Sequence, residues 1–405
     1  MTHARVLLAA GLGFSLFAAA CHQDELFTPP VPPYAGGALF QRYVSMGNSF
    51  TMGIQSGGIN DSTQRVAYPV LVAGAMSGDP FYYPSLTMPG CPPPFTNIFT
   101  GARVGTGSTG TTCLFRSPSI PPYLSNVAVS GAWAIDLSTN GPIPGTHSNA
   151  LTQLVLGGRT QLQAMMAARP TFVSVWIGDN DLVQAAFAND TTLLTDTTTF
   201  KAQYRQVLDS IQAVEAQALL IGVGEGTLPT TIPPFFSRGS TYYLLFISGA
   251  FAPAPFTVLG NCAPPRGDTV GVAFPYGLGL IATAKTGTPT TLDCTAPQTV
   301  QPASFRKYAR TQVAYNAIIQ TEATARGWAY LSLNAMFDSL QTVPPAGSQI
   351  APFPNTNAAC SGSPFGLAFS CDGFHMSTAT HRLIAKKIVQ AINAKYSSAI
   401  PAVVP

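Results

Sequence analysis

The chain has 405 residues, only 9% of them charged, with 46% hydrophobic and a net charge of +3. An average soluble protein is about 25% charged. Enough apolar residues are present for a large core, which excludes global disorder. No Lys/Arg run occurs, which excludes nucleic-acid binding through a basic face. The surface must therefore be built of Ser, Thr, Asn, Gln and Gly, a composition that points to export.

The N-terminus agrees. Arg5 precedes an apolar stretch over residues 6–20, ending in Ala18-Ala19-Ala20-Cys21. About twenty apolar residues are needed to span a bilayer, so this segment fits a signal peptide over 1–20. Small residues before a Cys resemble the lipobox of bacterial lipoproteins, with Ala18 where Leu is usual. That resemblance implies lipidation at Cys21 and anchorage to the membrane, and His22 after it, where no Asp stands to retain the chain at the inner membrane, implies by analogy sorting to the outer membrane. The alternative is an ordinary signal cleaved at Ala-x-Ala. A Pro-rich stretch, Pro29-Pro30-Val31-Pro32-Pro33, reads as an extended tether within residues 21–40.

Beyond the tether, apolar runs alternate with amphipathic ones. Strands are predicted over residues 43–46, 171–177, 218–223 and 328–333, with weaker runs at 80–83 and 123–129. Helices are predicted over 64–76 (interrupted by Pro69), 149–168, 199–216, 303–326 and 377–394, with Gly327 and Ser377 as caps. On the last helix Ile384, Ile388 and Ile392 form an apolar stripe. Alternating strands and helices predict an α/β protein with a parallel sheet. Two stretches break the pattern, 84–122 and 227–302. Both are rich in Gly, Pro or aromatics and read as long insertions on the rim of a single domain over 41–400.

Seven cysteines less Cys21 leave six, an even number suited to disulfides. Local pairing would join Cys91 to Cys113, Cys262 to Cys294 and Cys360 to Cys371. No C-x-x-C occurs and no Cys/His cluster has zinc spacing, so neither a metal nor another cofactor is expected.

Three motifs carry chemistry. Gly47-Asn48-Ser49 follows the first strand, where a serine and its backbone N–H are exposed at a carboxyl end. Gly178-Asp179-Asn180-Asp181 follows another strand, and Asn180 can donate a side-chain N–H to an oxyanion. Asp372-Gly373-Phe374-His375 precedes the last helix. There the carboxylate can bond Nδ1–H and leave Nε2 to take a proton from a serine. Of the remaining histidines, His147 falls in a loop and His381 on the last helix, with a partly exposed polar role expected.

Together with Asn126-Val127-Ala128-Val129-Ser130-Gly131, these blocks and their order resemble the GDSL, or SGNH, hydrolase family of serine esterases and lipases. The resemblance spans roughly residues 42–400 and is similar at its C-terminal end to a bacterial lipoprotein subgroup. It implies a three-layer α/β/α, flavodoxin-like fold with about five parallel strands. It further implies a catalytic triad of Ser49, His375 and Asp372, an oxyanion hole of Ser49, Gly131 and Asn180, an ester substrate and a monomer without cofactor. The family's usual Gly-Asp-Ser is Gly-Asn-Ser here, and Asp179 stands at a variable position with no expected role. Two alternatives stay open: a deacetylase of polysaccharide or peptidoglycan, and a non-catalytic lipoprotein that binds lipid or carbohydrate. Phe235, Phe236, Tyr242 and Tyr243 would line an acyl pocket, form a sugar platform or pack the insertion's own core.

Overall fold

The structure is a computed structural model that describes residues 37–105, 121–141, 145–223, 235–341, 349–351 and 353–403. The signal segment, Cys21, most of the tether, Cys113 and the start of the second insertion lie outside these residues. The central sheet has four named strands: β1 (Tyr43–Gly47), β2 (Phe172–Trp176), β3 (Gln217–Ile221) and β4 (Ala329–Leu331). Each pairs in parallel with the next, with Val44 opposite Val173, Ser174 opposite Leu219 and Leu220 opposite Tyr330. All residues of β1 and β2 are buried. Burial on both faces is why these strands read as near-continuous apolar runs.

A fifth position is filled by residues 125–129, which run along the free edge of β1. Ser45 N–H donates to Ser125 O (2.7 Å), Val127 N–H to Ser45 O (3.0 Å) and Val129 N–H to Gly47 O (3.2 Å). In chain order, the sheet therefore reads second, first, third, fourth, fifth, the flavodoxin-like arrangement. Its switch point lies at the carboxyl ends of β1 and β2, where open α/β sheets bind their ligands.

Seven helices position the site: α1 (Ser49–Met52), α2 (Tyr68–Met76), α3 (Gln161–Ala168), α4 (Asn180–Ala188), α5 (Thr197–Ala213), α6 (Pro302–Ala325) and α7 (Thr378–Tyr396). Helices α2 and α7 pack on each other over one face. The Tyr68 ring lies 5.6 Å from that of Trp176, and Tyr396 donates its hydroxyl to Ala218 O at 2.7 Å. Helices α3, α5 and α6 cover the other face, with Phe200 stacked on Tyr315 at 4.0 Å.

Three local expectations are corrected. The predicted helix over 64–76 is two helices, Asp61–Arg65 and α2, because Pro69 sits in the first turn of α2, where its missing N–H costs nothing. The predicted helix over 149–168 is likewise two. Gly157 ends Ala150–Leu156 in the left-handed conformation, and Thr160 caps α3. Residues 80–83 form no strand. The Tyr82 carbonyl accepts the N–H groups of Ser125 and Asn126 in place of a strand ladder.

The described part of the second insertion carries secondary structure and a core of its own. Phe236–Arg238, Gly271–Ala273 and Thr299–Val300 form an antiparallel ribbon. Two helices, Gly239–Ile247 and Phe274–Lys285, enclose a satellite core around Tyr242, Phe256 and Ile281. Cys262–Cys294 staples this unit and Cys360–Cys371 a later loop, as expected. Cys91 is also disulfide-bonded. Such bonds form and persist in oxidising compartments, which is extracellular or periplasmic chemistry. Among the described residues, no helix is long and apolar enough to cross a membrane.

Candidate active site

The serine stands where β1 turns into α1. Gly47 has φ +155°, and a Cβ there would lie 2.4 Å from Trp176 O. Only glycine fits so close to the neighbouring strand. Gln161 brackets this glycine from α3, accepting its N–H at 3.0 Å and donating to its carbonyl at 2.9 Å. Asn48 caps α1: its Oδ1 accepts Phe50 N–H at 3.0 Å and its carbonyl accepts Met52 N–H at 2.9 Å. Ser49 is thus the first helical residue, and its N–H, one of the orphan donors of a helix start, meets no acceptor among the described residues.

Asn48 also reaches across the switch point. Its Nδ2 donates to Asp179 Oδ2 at 2.8 Å, and both residues are buried. Asp179 therefore has a specific partner, contrary to the sequence reading. Next to it, Asn180 opens α4 and donates Nδ2 to Ala132 O at 2.8 Å, leaving its second amide hydrogen. Gly131 follows the edge segment with φ +85°, and its N–H meets no acceptor among the described residues.

Asp372 and His375 arrive from the far end of the chain. Residues 55–57, just past α1, hold their loop in place. Ser56 N–H donates to Ser370 Oγ at 2.7 Å, Cys371 N–H to Ser56 Oγ at 3.2 Å and Thr378 Oγ1 to Gln55 Oε1 at 3.1 Å. The Asp372 carboxylate is saturated. Oδ1 accepts Phe374 N–H (2.9 Å), His375 N–H (2.8 Å) and Ser370 Oγ–H (3.2 Å). Oδ2 accepts Gly57 N–H (2.6 Å) and pairs with His375 Nδ1 at 2.7 Å. Burial pushes this carboxyl up, but the imidazole beside it and the N–H donors outweigh burial and hold it below the usual carboxylate range. A charged Asp372 fixes the proton on Nδ1 and leaves Nε2 as the basic nitrogen.

The His375 ring meets Phe50, the residue after Ser49, edge-on at 5.7 Å. Among the described residues no hydrogen bond joins His375 Nε2 to Ser49 Oγ. Such contacts commonly tighten only when substrate binds. Beside His375 lies an aromatic wall. Phe374 packs on Phe50 (5.4 Å) and Phe187 (5.2 Å), and Phe187 on Phe235 (4.4 Å). Of the four insertion aromatics, Phe235 and Phe236 thus belong to the site side, whereas Tyr242 and Tyr243 pack the satellite core.

His381 is fully buried rather than partly exposed. Its Nδ1 accepts Tyr68 N–H at 3.3 Å, and burial, then the nearby His375, push its pKa down to about 3. His147 stacks on Trp133 at 4.0 Å. Among the described residues, no group of three or more His, Cys, Asp or Glu could hold a metal ion.

Asp181, silent in the sequence, is fully buried on α4. It accepts Ala134 N–H at 2.9 Å and the Thr195 hydroxyl at 2.8 Å. Burial pushes its carboxyl up to about 6, against the pull of these donors. The folded chain therefore keeps a proton that the unfolded chain releases near pH 4, so this group lowers stability as pH rises from about 4 to 6. Asp181→Asn can keep both contacts and is neutral throughout. The variant is expected to match the parent at pH 4 and exceed it by up to about 3 kcal/mol above pH 7, read from urea unfolding. Equal midpoints at pH 8 would refute this.

No family model matches the sequence, and no curated protein matches it. Solved structures do. An acetyl-xylooligosaccharide esterase (Axe2) from Geobacillus stearothermophilus aligns at 13% identity and TM-score 0.39, covering 89% of this chain and 96% of its own. TesA aligns at 10% identity and TM-score 0.36, covering 88% and 99%. LAE5, an alpha/beta hydrolase from the metagenome of Lake Arreo, Spain, aligns at 12% identity and TM-score 0.39, covering 90% and 97%. At such identities a neighbour's substrate is a property of the neighbour.

Proposed function

We propose that the chain is an exported serine ester hydrolase of the SGNH type. The observation that carries this is the saturated Asp372 carboxylate bonded to His375 Nδ1 at 2.7 Å, with that imidazole against Phe50 and, at the same switch point, the N–H groups of Ser49 and Gly131, which meet no acceptor among the described residues. In this reading His375 Nε2 takes the Ser49 proton as Oγ attacks an ester carbonyl. The N–H groups of Ser49 and Gly131 and the second Nδ2 hydrogen of Asn180 receive the developing oxyanion. His375 returns the proton to the leaving alcohol, and water then cleaves the acyl-enzyme by the same route. The charged Asp372 stabilises the imidazolium that forms in each step. The tilted and edge-on rings of Phe374, Phe187 and Phe235 offer an apolar wall, which supports an ester with a hydrocarbon group on that side. The disulfides support export, and the lipobox-like Cys21 supports a lipid anchor in the bacterial envelope.

The chain from residue 21 on is expected to hydrolyse short-chain p-nitrophenyl esters. A fluorophosphonate should label it one to one at Ser49, and Ser49→Ala should abolish both. Equal hydrolysis by parent and Ser49→Ala would overturn the proposal.

A further inference from the structure

We propose that Asn149 is a positioning residue for the oxyanion hole. It holds the Ser130–Gly131 peptide so that the Gly131 N–H faces the crevice beside Ser49. The inference rests on the hydrolase reading above.

Asn149 Nδ2 donates to Ser130 O at 2.9 Å. That carbonyl belongs to the same peptide unit as the Gly131 N–H. A trans peptide is planar, with C=O and N–H pointing in opposite directions. Fixing the carbonyl outward on Asn149 therefore fixes the N–H inward. Gly131 needs such a brace. At φ +85° it sits in a region glycine enters and leaves at little cost, so nothing intrinsic prevents its peptide from rotating. A bond accepted at the carbonyl also polarises the unit and strengthens N–H donation at the other end.

Asn149 is itself immobilised. Its Oδ1 caps the helix Ala150–Leu156 by accepting Leu151 N–H (2.9 Å) and Thr152 N–H (3.3 Å), and its own N–H donates to Thr152 Oγ1 at 3.1 Å. The cap thus turns the Nδ2 hydrogens toward Ser130. Residues 145–149 grip the oxyanion loop at two further points. His147 stacks on Trp133, and its N–H donates to Asp136 Oδ1 at 2.7 Å while Asp136 Oδ2 accepts Trp133 N–H at 2.8 Å. The other oxyanion peptide is held by the same logic: the Asn48 carbonyl is fixed by Met52 N–H, which aims the Ser49 N–H the opposite way.

Two variants separate positioning from capping. Asn149→Asp and Asn149→Ser both retain an N-cap acceptor, but the ionised Asp carries no donor, and the Ser hydroxyl sits one bond nearer the backbone than the Nδ2 that donates to Ser130 O at 2.9 Å and falls short of it. Each is expected to melt with the parent and to lose about 10- to 100-fold in kcat at unchanged KM, less than outright loss of an oxyanion donor. Fluorophosphonate labelling of Ser49, which also builds charge on an oxygen in this hole, should slow by a similar factor. Asn149→Ala should lose both melting temperature and kcat. Parental kcat and labelling in a folded Asn149→Ser overturns the proposal. So does a loss confined to Asn149→Asp, which would make the introduced charge the cause, or a loss expressed only in KM. Ser49→Ala at the parental rate would instead sink the hydrolase reading, whatever Asn149 does.

Discussion

Asp372→Asn is expected to lower kcat by about 10⁴-fold on p-nitrophenyl esters, through the tautomer of His375 rather than through charge alone. The native carboxylate accepts on both oxygens, from three donors at Oδ1 and from Gly57 N–H and His375 Nδ1 at Oδ2. An asparagine has one acceptor oxygen. With that oxygen on the Phe374 and His375 N–H groups, its amide hydrogens face Gly57 N–H and Nδ1. The imidazole then accepts at Nδ1 and carries its proton on Nε2, where it cannot deprotonate Ser49. With the amide turned over, two backbone N–H groups lose their acceptor instead, at about 1–3 kcal/mol for each buried donor left unpaired. Either way the base is lost or the loop that carries it loosens. Activity should fall far more than stability. Measured kcat, fluorophosphonate labelling rate and urea midpoint separate the two. A folded Asp372→Asn within about 10-fold of the parent would remove Asp372 from the mechanism.

The parts of the site legible in the sequence were those that sit at strand ends. Strands β1 and β2 are buried on both faces, so Tyr43–Gly47 and Phe172–Trp176 stand out as apolar runs, and the polar residues just after them mark the crevice. The Asp372–His375 spacing was legible for a related reason, since two polar side chains three residues apart in a tight turn face the same way. Residues that hold backbone left no such trace. Gln161 reads as an ordinary first-turn residue of α3 and Asn149 as an ordinary N-cap. Their bonds to Gly47 and Ser130 come from segments brought together only by the sheet. The burial of His381 leaves a trace in the sequence. The residue lies three, seven and eleven residues before Ile384, Ile388 and Ile392 and shares their buried stripe. Its neutral imidazole follows from that burial. The insertion strands were illegible because three residues are too few to show a period of two.

Asn48→Asp, which would restore the residue usual in the resembling family, is expected to destabilise this chain by about 3–5 kcal/mol at pH 8. Taken alone the change should be harmless, since aspartate caps helices as well as asparagine and favours the positive end of the helix dipole. The cost comes from across the switch point. Asn48 Nδ2 donates to Asp179 Oδ2 at 2.8 Å, and the two residues are 1% and 5% exposed. An aspartate at 48 removes that donor and sets two carboxylates in contact out of water, where both cannot stay ionised. One must hold its proton, so the shared pKa rises above the unfolded value. The penalty is then small near pH 4 and grows as pH rises toward the raised pKa. Asp179→Asn in the same chain reverses the pair, with residue 179 donating and residue 48 accepting, and should recover most of the lost stability. The coupling in this cycle, read from urea unfolding at pH 5 and pH 8, tests the account directly. A single variant as stable as the parent at pH 8, or a double variant no better than the single, would refute it. The same pairing accounts for asparagine at 48 in this chain: of the two buried side chains in contact, one donates and the other is the acid, and here the acid stands at 179.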